Sequence, residues 1–526
     1  MSNFNPLLDG SLVGCYLLAT MVAGIMVRKY VGKVEHFLLA GREMNVYLGV
    51  ASLAATEFGI VTCMYTAQNA YKYGFAGAIP GLTNVVAMFL VGYTGFGVKP
   101  LRDAGVMTIP ELFEQRYGKF VRWLAGVVIV LGGLLNMGVF LRVGGQFLVV
   151  CCGLNLEYLE LTMTVLLLAV AVYTILGGML SVLITDFLQF VVMSAGLLTV
   201  TLLVLYKVGG DSFAGAWPNV VSAVSERHGA AGFNPFLGAE TGAGFVVANL
   251  LTSIAAVLTW QPVIARVLAA KDTRTGRRIY TRTSFFFIAR WMLPGVWALG
   301  AVAAAAAVTP GVLEGLAQQF GERDGSLFAM PYYLSLVVPS GLMGILIAAM
   351  LAADMSTDSS YMLTWGSVIY NDILAPFRRA WTERRGLIIN RFIVACIGVF
   401  LLVWGLWYKL EGDLWAYLQT TGTIYLASMS ILLIACCYWR GANNWGAIAA
   451  IVVGAVLPVA ALAANKGWSV AVVDESGLQK TVGWVSHHIG DAWVNVGTYA
   501  AVAVAMVVGS LLKPGRATGA AAEVRS

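Results

Sequence analysis

Charge is scarce in this chain. Of 526 residues, 11% are Asp, Glu, Lys or Arg, against 59% hydrophobic. Soluble domains carry about a quarter charged residues, so a soluble enzyme or a nucleic-acid-binding module is excluded. The net charge of +6 is no nucleic-acid signal, because the basic residues sit between apolar runs. Histidine is nearly absent: His36, His228, His487 and His488 lie near helix ends or in loops, and the 487–488 pair reads as a solvated loop. The seven cysteines (15, 63, 151, 152, 396, 436 and 437) all fall in apolar stretches. That excludes a disulfide framework and a Cys/His metal centre. A phosphate-cradling Gly-Lys-Ser/Thr loop is missing, as is a soluble output domain, so an ATP-driven pump or a kinase-linked sensor lacks its motor or output in this sequence. Residues 11–27 are apolar, but no basic stretch precedes them and Arg28-Lys29 follow. They read as a first membrane helix, not a cleavable signal.

What the chain has in abundance is apolar runs of about 20 residues, the length that crosses a bilayer as helix. Thirteen are expected, near 9–28, 46–70, 76–98, 121–150, 159–179, 182–207, 242–264, 283–308, 336–366, 387–408, 413–438, 444–465 and 494–513. Every second loop is basic: Arg28, Lys29, Lys33 and Arg42; Lys99, Arg102, Arg116, Lys119 and Arg122; Arg266 to Arg282; Arg378 to Arg391; Arg440; and Lys513, Arg516 and Arg525. The alternate loops, such as 153–158, 309–335 and 409–413, are poor in Lys and Arg. The positive-inside rule then puts the N-terminus outside and the C-terminus in the cytoplasm. Two longer loops, 208–241 and 466–493, are expected to form small lids.

Polar residues inside apolar runs are functional candidates. The densest group is Ala353-Asp354-Met355-Ser356-Thr357-Asp358-Ser359-Ser360. On a helix, Ala353, Ser356, Thr357 and Ser360 share a face and Asp354 and Asp358 lie roughly opposite. A face of hydroxyls at mid-membrane suits a small hard cation; interhelical packing is the alternative. Glu57, among Thr56, Gly59 and Thr62, suits a broken helix facing a cavity, or a continuous helix with Glu57 paired to an arginine. Arg142 suits bidentate capture of a carboxylate, or an ion pair with Glu57 or another acid. Asp186 suits a sodium ligand, a proton relay or the acid at a helix N-terminus. Arg290, in an aromatic run, reads as a structural pair without a further role.

Further strings occur in a fixed order: Phe37-Leu38-Leu39-Ala40-Gly41-Arg42; Ala55-Thr56-Glu57-Phe58 with Ala70-Tyr71 and Gly74; Thr108-Ile109-Pro110-Glu111 with Arg116-Tyr117-Gly118; Tyr173, Gly177-Gly178, Thr185-Asp186 and Gln189; Gln261 with Arg266; Asn371-Asp372; and Trp439-Arg440 with Ala442-Asn443. Together with 353–360, this set resembles the sodium/solute symporter family of sodium-galactose, sodium-proline and sialic-acid carriers.

The resemblance implies an all-α polytopic membrane protein of about 13 transmembrane helices. Its fold would be the LeuT-type five-plus-five inverted repeat with an extra N-terminal helix. The expected divisions are 1–45 (extra helix and loop), 46–207 (first repeat), 208–241 (outer loop), 242–438 (second repeat) and 439–526 (accessory helices and tail). The first helix of each repeat would be interrupted, near Ala55–Gly59 and within 250–262. The resemblance implies Na+ as coupling ion, held in a main site by Ala55, Phe58, Ala353, Ser356 and Thr357. A second site would use Asp186, Ser356, Ser359 and Ser360. It implies a solute site near Glu57, Gly59, Thr62, Arg142, Trp260, Gln261 and Tyr417. Asp354 departs from the family, which is usually apolar there.

The expected function is import of a small organic solute with sodium across the plasma (inner) membrane. Arg142 points the solute toward a carboxylate or amino acid; the alternatives are a sugar symporter and a transport-fold sensor signalling through a partner. Solute, sodium and lipid are the expected partners, with no nucleic acid and no obligatory protein partner. An enzyme is not expected, because no span offers a Ser/His or Cys/His pair.

Overall fold

The computed structural model describes residues 2–27, 29, 32–322, 324–377, 381–410, 413–473 and 479–513. Arg28, Arg378, Arg379, Arg516 and Arg525, counted above among the basic loops, lie outside the described residues. So does part of the 466–493 loop. The chain is helical almost throughout. The main helices are α1 (Leu8–Val27), α2 (Val46–Thr56), α3 (Ile60–Tyr73), α4 (Ile79–Thr94), α5 (Lys119–Met137), α6 (Phe140–Cys152) and α7 (Leu159–Val208). They continue with α8 (Gly242–Thr259), α9 (Gln261–Ala269), α10 (Thr273–Ala303), α11 (Leu342–Val368), α12 (Glu383–Trp407), α13 (Leu414–Tyr438), α14 (Asn444–Gly467) and α15 (Asp491–Leu512). Among the described residues, eleven helical stretches are long and apolar enough to cross a membrane. The protein is an all-helical, multi-pass membrane protein.

Two of the eleven stretches each hold a pair of the thirteen expected runs. The runs at 46–70 and 76–98 join through a tight 3-10 turn at Gly74–Ala78. The runs at 159–179 and 182–207 are two helices that meet within α7 at Gly178, where φ 54° and ψ −150° break the helix. A Cβ at Gly178 would lie 2.5 Å from the Phe37 ring. Glycine is required there twice over, for the left-handed backbone and for the close approach.

The two interrupted helices fall where they were expected. α2 ends at Thr56 and α3 begins at Ile60, with Gly59 extended at φ −82°, ψ 168°. α8 ends at Thr259 and α9 begins at Gln261, with Trp260 extended between them. Pro262 lacks the N–H that would continue the α8 ladder, and its fixed φ suits the first turn of α9. Such freed backbone at membrane depth survives only where protein or a cavity covers it. Both breaks are buried. α11 packs most extensively on α7, and nearly all of its residues from Met343 to Val368 are buried.

The 208–241 loop carries a helix at Ala216–His228. The 466–493 loop carries the antiparallel strands β1 (Ser469–Val473) and β2 (Gln479–Gly483), in register from Ser469 opposite Gly483. His487 and His488 are exposed beside it, as the sequence suggested.

Candidate sodium and solute site

The break between α2 and α3 is closed by α11. The Thr357 hydroxyl donates to the Thr56 carbonyl at 2.7 Å and to the Ala353 carbonyl at 3.0 Å. The Ala55 carbonyl at the same helix end accepts the Phe58 N–H at 3.2 Å. A Cβ on Gly59 would sit 2.7 Å from Thr357 Oγ1, so only glycine lets α11 come this close. Of the residues expected at the main sodium site, the structure thus gathers Ala55, Phe58, Ala353 and Thr357 around one helix break. Each carbonyl keeps a second lone pair. The cluster is oxygen-rich and free of carboxylate, which suits a weakly held hard cation.

Ser356 turns to the next pocket, donating to Asp186 Oδ1 at 2.6 Å. Asp186 Oδ2 accepts from Ser52 at 2.5 Å and from Arg266 Nη2 at 3.2 Å. Arg266 Nη2 also reaches Thr56 at 2.6 Å and Ser360 at 2.5 Å. Ser359 instead donates to the Ser356 carbonyl at 3.2 Å. Asp186 and Arg266 are both fully buried. Asp186 lies two turns past the break in α7, not at a helix N-terminus, so the capping alternative does not apply. The sequence offered Arg266 only as part of a motif; its place beside Asp186, 80 residues away, is a tertiary fact.

A cavity of about 110 Å³ lies against both helix breaks. Glu57, Gly59, Thr62 and Trp260 line it, as expected. Glu57 is both at a broken helix and paired with an arginine. That arginine is Arg290, whose Nη1 lies 3.1 Å from Glu57 Oε2 and whose Nη2 reaches the Tyr65 hydroxyl at 3.1 Å. Arg290, given no role from sequence, therefore lines the cavity. Its distance of 233 residues from Glu57 left no sequence signal for the pairing. The Trp260 indole donates to the Tyr361 hydroxyl at 2.9 Å. The rings of Tyr65, Trp291 and Trp415 pack against one another along the wall, and Asn84, Asn136 and Gln419 bring amides to it.

Three expected solute residues stand elsewhere. Arg142 Nε binds Glu322 Oε1 at 2.9 Å and its Nη2 donates to the Phe320 carbonyl at 2.7 Å. It fastens the loop after the helix Pro310–Phe320, and its acid partner is Glu322 rather than Glu57. The loop folds inward because Gln146, one turn along α6, also donates to Glu322 at 2.7 Å. Tyr417 donates to the Leu135 carbonyl at 2.7 Å and packs on Tyr408. Gln261 is buried beside the α8–α9 break but is not among the residues lining the cavity. Asp354 does not face solvent: it is buried, lines the cavity with Thr357, and has Oδ2 without a hydrogen-bond partner among the described residues.

The profile of the sodium:solute symporter family matches residues 37–454. The chain belongs to the sodium:solute symporter family. Among curated relatives, it is 26% identical over 486 residues to the dog (Canis lupus familiaris) sodium/myo-inositol cotransporter, covering 85% of this chain and 66% of that protein. It is 25% identical over 480 residues to the cattle (Bos taurus) sodium/mannose cotransporter, covering 85% and 78%. The zebrafish (Danio rerio) sodium/glucose cotransporter 4 is 26% identical over 473 residues, covering 85% and 70%. Among solved structures, a substrate-bound, outward-open Na+-coupled sialic acid symporter superposes with a TM-score of 0.77 at 16% identity, covering 97% of this chain and 99% of that one. That likeness fixes the fold class, an all-α polytopic membrane fold. This is a family of transporters, not of enzymes.

Proposed function

We propose that the protein is a sodium-coupled symporter of a sugar or polyol, working in the plasma membrane with its basic loops in the cytoplasm. In this reading 46–207 and 242–438 are the two inverted repeats, each opening with an interrupted helix, between an extra N-terminal helix (1–45) and accessory C-terminal helices (439–526). The 208–241 loop then faces outside. Sodium binds at Ala55, Phe58, Ala353 and Thr357, with Ser356 at the edge, and bridges the α2–α3 break to α11. The solute binds in the adjoining cavity. Because the two ligands share α3 and α11, each raises the affinity for the other, and that reciprocity drives coupled import.

The observation that carries the solute class is the charge state of the cavity wall. Arg290 is the one cation among the lining residues, and it is already paired with Glu57. A carboxylate solute would have to share it with Glu57, with Asp354 as a second acid on the same wall. What remains open to a ligand is a mixed set of donors and acceptors: the Trp291 Nε1 and Arg290 Nε donors and the Asn84 Oδ1 and Asp354 Oδ2 acceptors have no partner among the described residues. A hydroxyl both donates and accepts, so a polyol satisfies this mixed set. Its C–H faces pack on Trp260, Trp291 and Trp415. The names of the curated relatives point the same way. This replaces the carboxylate expectation, which rested on Arg142.

The test is uptake into proteoliposomes under an inward sodium gradient. Labelled myo-inositol, glucose and mannose are compared with sialic acid and a panel of amino acids. Sodium-dependent accumulation of at least one of the first three is expected. Accumulation confined to the carboxylated solutes would overturn the solute class, and uptake indifferent to sodium would overturn the coupling.

A further inference from the structure

The pocket around Asp186 is built for a cation. A fully buried carboxylate is ringed by the hydroxyls of Ser52, Thr56, Ser356 and Ser360, from α2 and α11. Uncompensated, such a carboxylate is prohibitive at membrane depth. The compensating charge comes from the chain itself. Arg266, on α9, places Nη2 at 2.5–3.2 Å from Ser360, Thr56 and Asp186, and Nε at 3.2 Å from Ser52. Its remaining nitrogen, Nη1, donates to the Pro262 carbonyl at 3.1 Å, one turn back on the same helix.

We infer that the Arg266 guanidinium is the resident cation of the Asp186 pocket, so that the protein binds and carries a single sodium ion, in the cluster around Thr357 and the α2–α3 break. The inference rests on the reading that the Thr357 cluster holds sodium. Three facts carry it. Of the oxygens that a second sodium would need, Asp186 Oδ2 and the Ser360 hydroxyl are already taken by Nη2 at hydrogen-bond distance, and Asp186 Oδ1 is taken by Ser356. A sodium ion inserted among them would sit against a guanidinium that cannot deprotonate, and like charges repel strongly where water is excluded. The guanidinium is also tethered: it cannot dissociate during a cycle, as a transported ion must. It binds the α2 half-helix through Ser52 and Thr56 and belongs to the α9 half-helix, so it clasps the two interrupted helices beneath the main site. Ser356, which donates to Asp186, joins this fixed cation to the mobile one.

The experiment counts sodium ions bound at equilibrium by the purified full-length protein, with radioactive sodium as the only ligand and no solute. One ion per chain is expected for the native protein. Thr357→Ala should raise the sodium concentration needed to fill the site about tenfold or more, and Asp186→Asn should leave the count at one. Arg266→Gln uncovers Asp186 and should raise the count to two, while Arg266→Lys, which keeps a tethered cation, should hold it at one. The double variant Asp186→Asn/Arg266→Gln should return it to one. Two ions on the native protein, one of them lost in Asp186→Asn, would overturn the inference with Arg266 in place. No sodium bound to the native protein would instead remove the symporter reading on which it rests. The native and Asp186→Asn counts decide the matter even if the Arg266 variants fail to fold.

Discussion

At the scale of single residues, the packing of α11 on the α2–α3 break makes the sharpest statements. Thr357 Oγ1 is the side-chain oxygen of the main cluster, held between two carbonyls. A hydrogen bond to a charged partner is worth about 1.5–3 kcal/mol. Thr357→Ala should therefore raise the sodium concentration for half-maximal uptake by about tenfold or more, with surface expression unchanged. An unaltered sodium dependence would remove Thr357 from the site. Gly59→Ala should be as damaging, because its Cβ would lie 2.7 Å from that same hydroxyl. Gly10→Ala, where a Cβ meets nothing within 4 Å, serves as the matched control in the same uptake assay. The hydroxyl-rich string 353–360 was legible as a candidate site, for a cation or for interhelical packing, because polar atoms in an apolar run must be used. Which hydroxyl serves which pocket was not: Thr357 and Ser356 are chain neighbours that face different partners on α2 and α7.

At the scale of elements, buried charge pairs decide which helices and loops stay together. Arg142 and Glu322 are 7% and 2% exposed and join α6 to the loop that follows Pro310–Phe320. Removing one partner leaves a buried charge uncompensated, at a cost of about 3–5 kcal/mol. Arg142→Gln and Glu322→Gln should each lower the melting temperature of the solute-free protein, and the double variant should recover part of the loss. Solute half-saturation should be nearly unchanged in whichever of these variants folds. A selective loss of solute affinity in Arg142→Gln, without a change in melting, would restore Arg142 to the solute site. The break in α7 gives a second test. Gly178→Ala combines a left-handed φ of 54° with a Cβ 2.5 Å from Phe37, and should abolish folded expression.

At the scale of the whole molecule, two different ion-pair clusters join helices on either side of the cavity. On the face away from the basic loops, Lys72 at the end of α3 lies 3.3–3.7 Å from Asp413, Glu240 and Asp324. It ties α3 to the segments preceding α8 and α13. On the basic face, Arg122 binds Glu114 and Asp372, and Thr108 donates to Asp372 at 2.8 Å. The backbone of Met44 pairs with that of Ala269 and Lys271 there. A carrier must open one face at a time. Lys72→Gln should free the first cluster and speed labelling of a cysteine placed at Ser253, a cavity residue, by a membrane-impermeant maleimide added outside. The background would lack the seven native cysteines. Unchanged labelling would show that Lys72 does not hold that face closed.

The sequence by itself determined the class of solvent the protein lives in, its helical character and the family resemblance, which in turn implied two interrupted helices. These follow from local facts: apolar runs of spanning length and an ordered set of short strings. The partners of the buried charges were decided only by the tertiary structure. Glu57 takes Arg290, Asp186 takes Arg266 and Arg142 takes Glu322, across 233, 80 and 180 residues of chain. A buried charge in a membrane must be compensated, and the sequence shows that much. Which opposite charge reaches it depends on how the helices cross, and no periodicity along the chain records that.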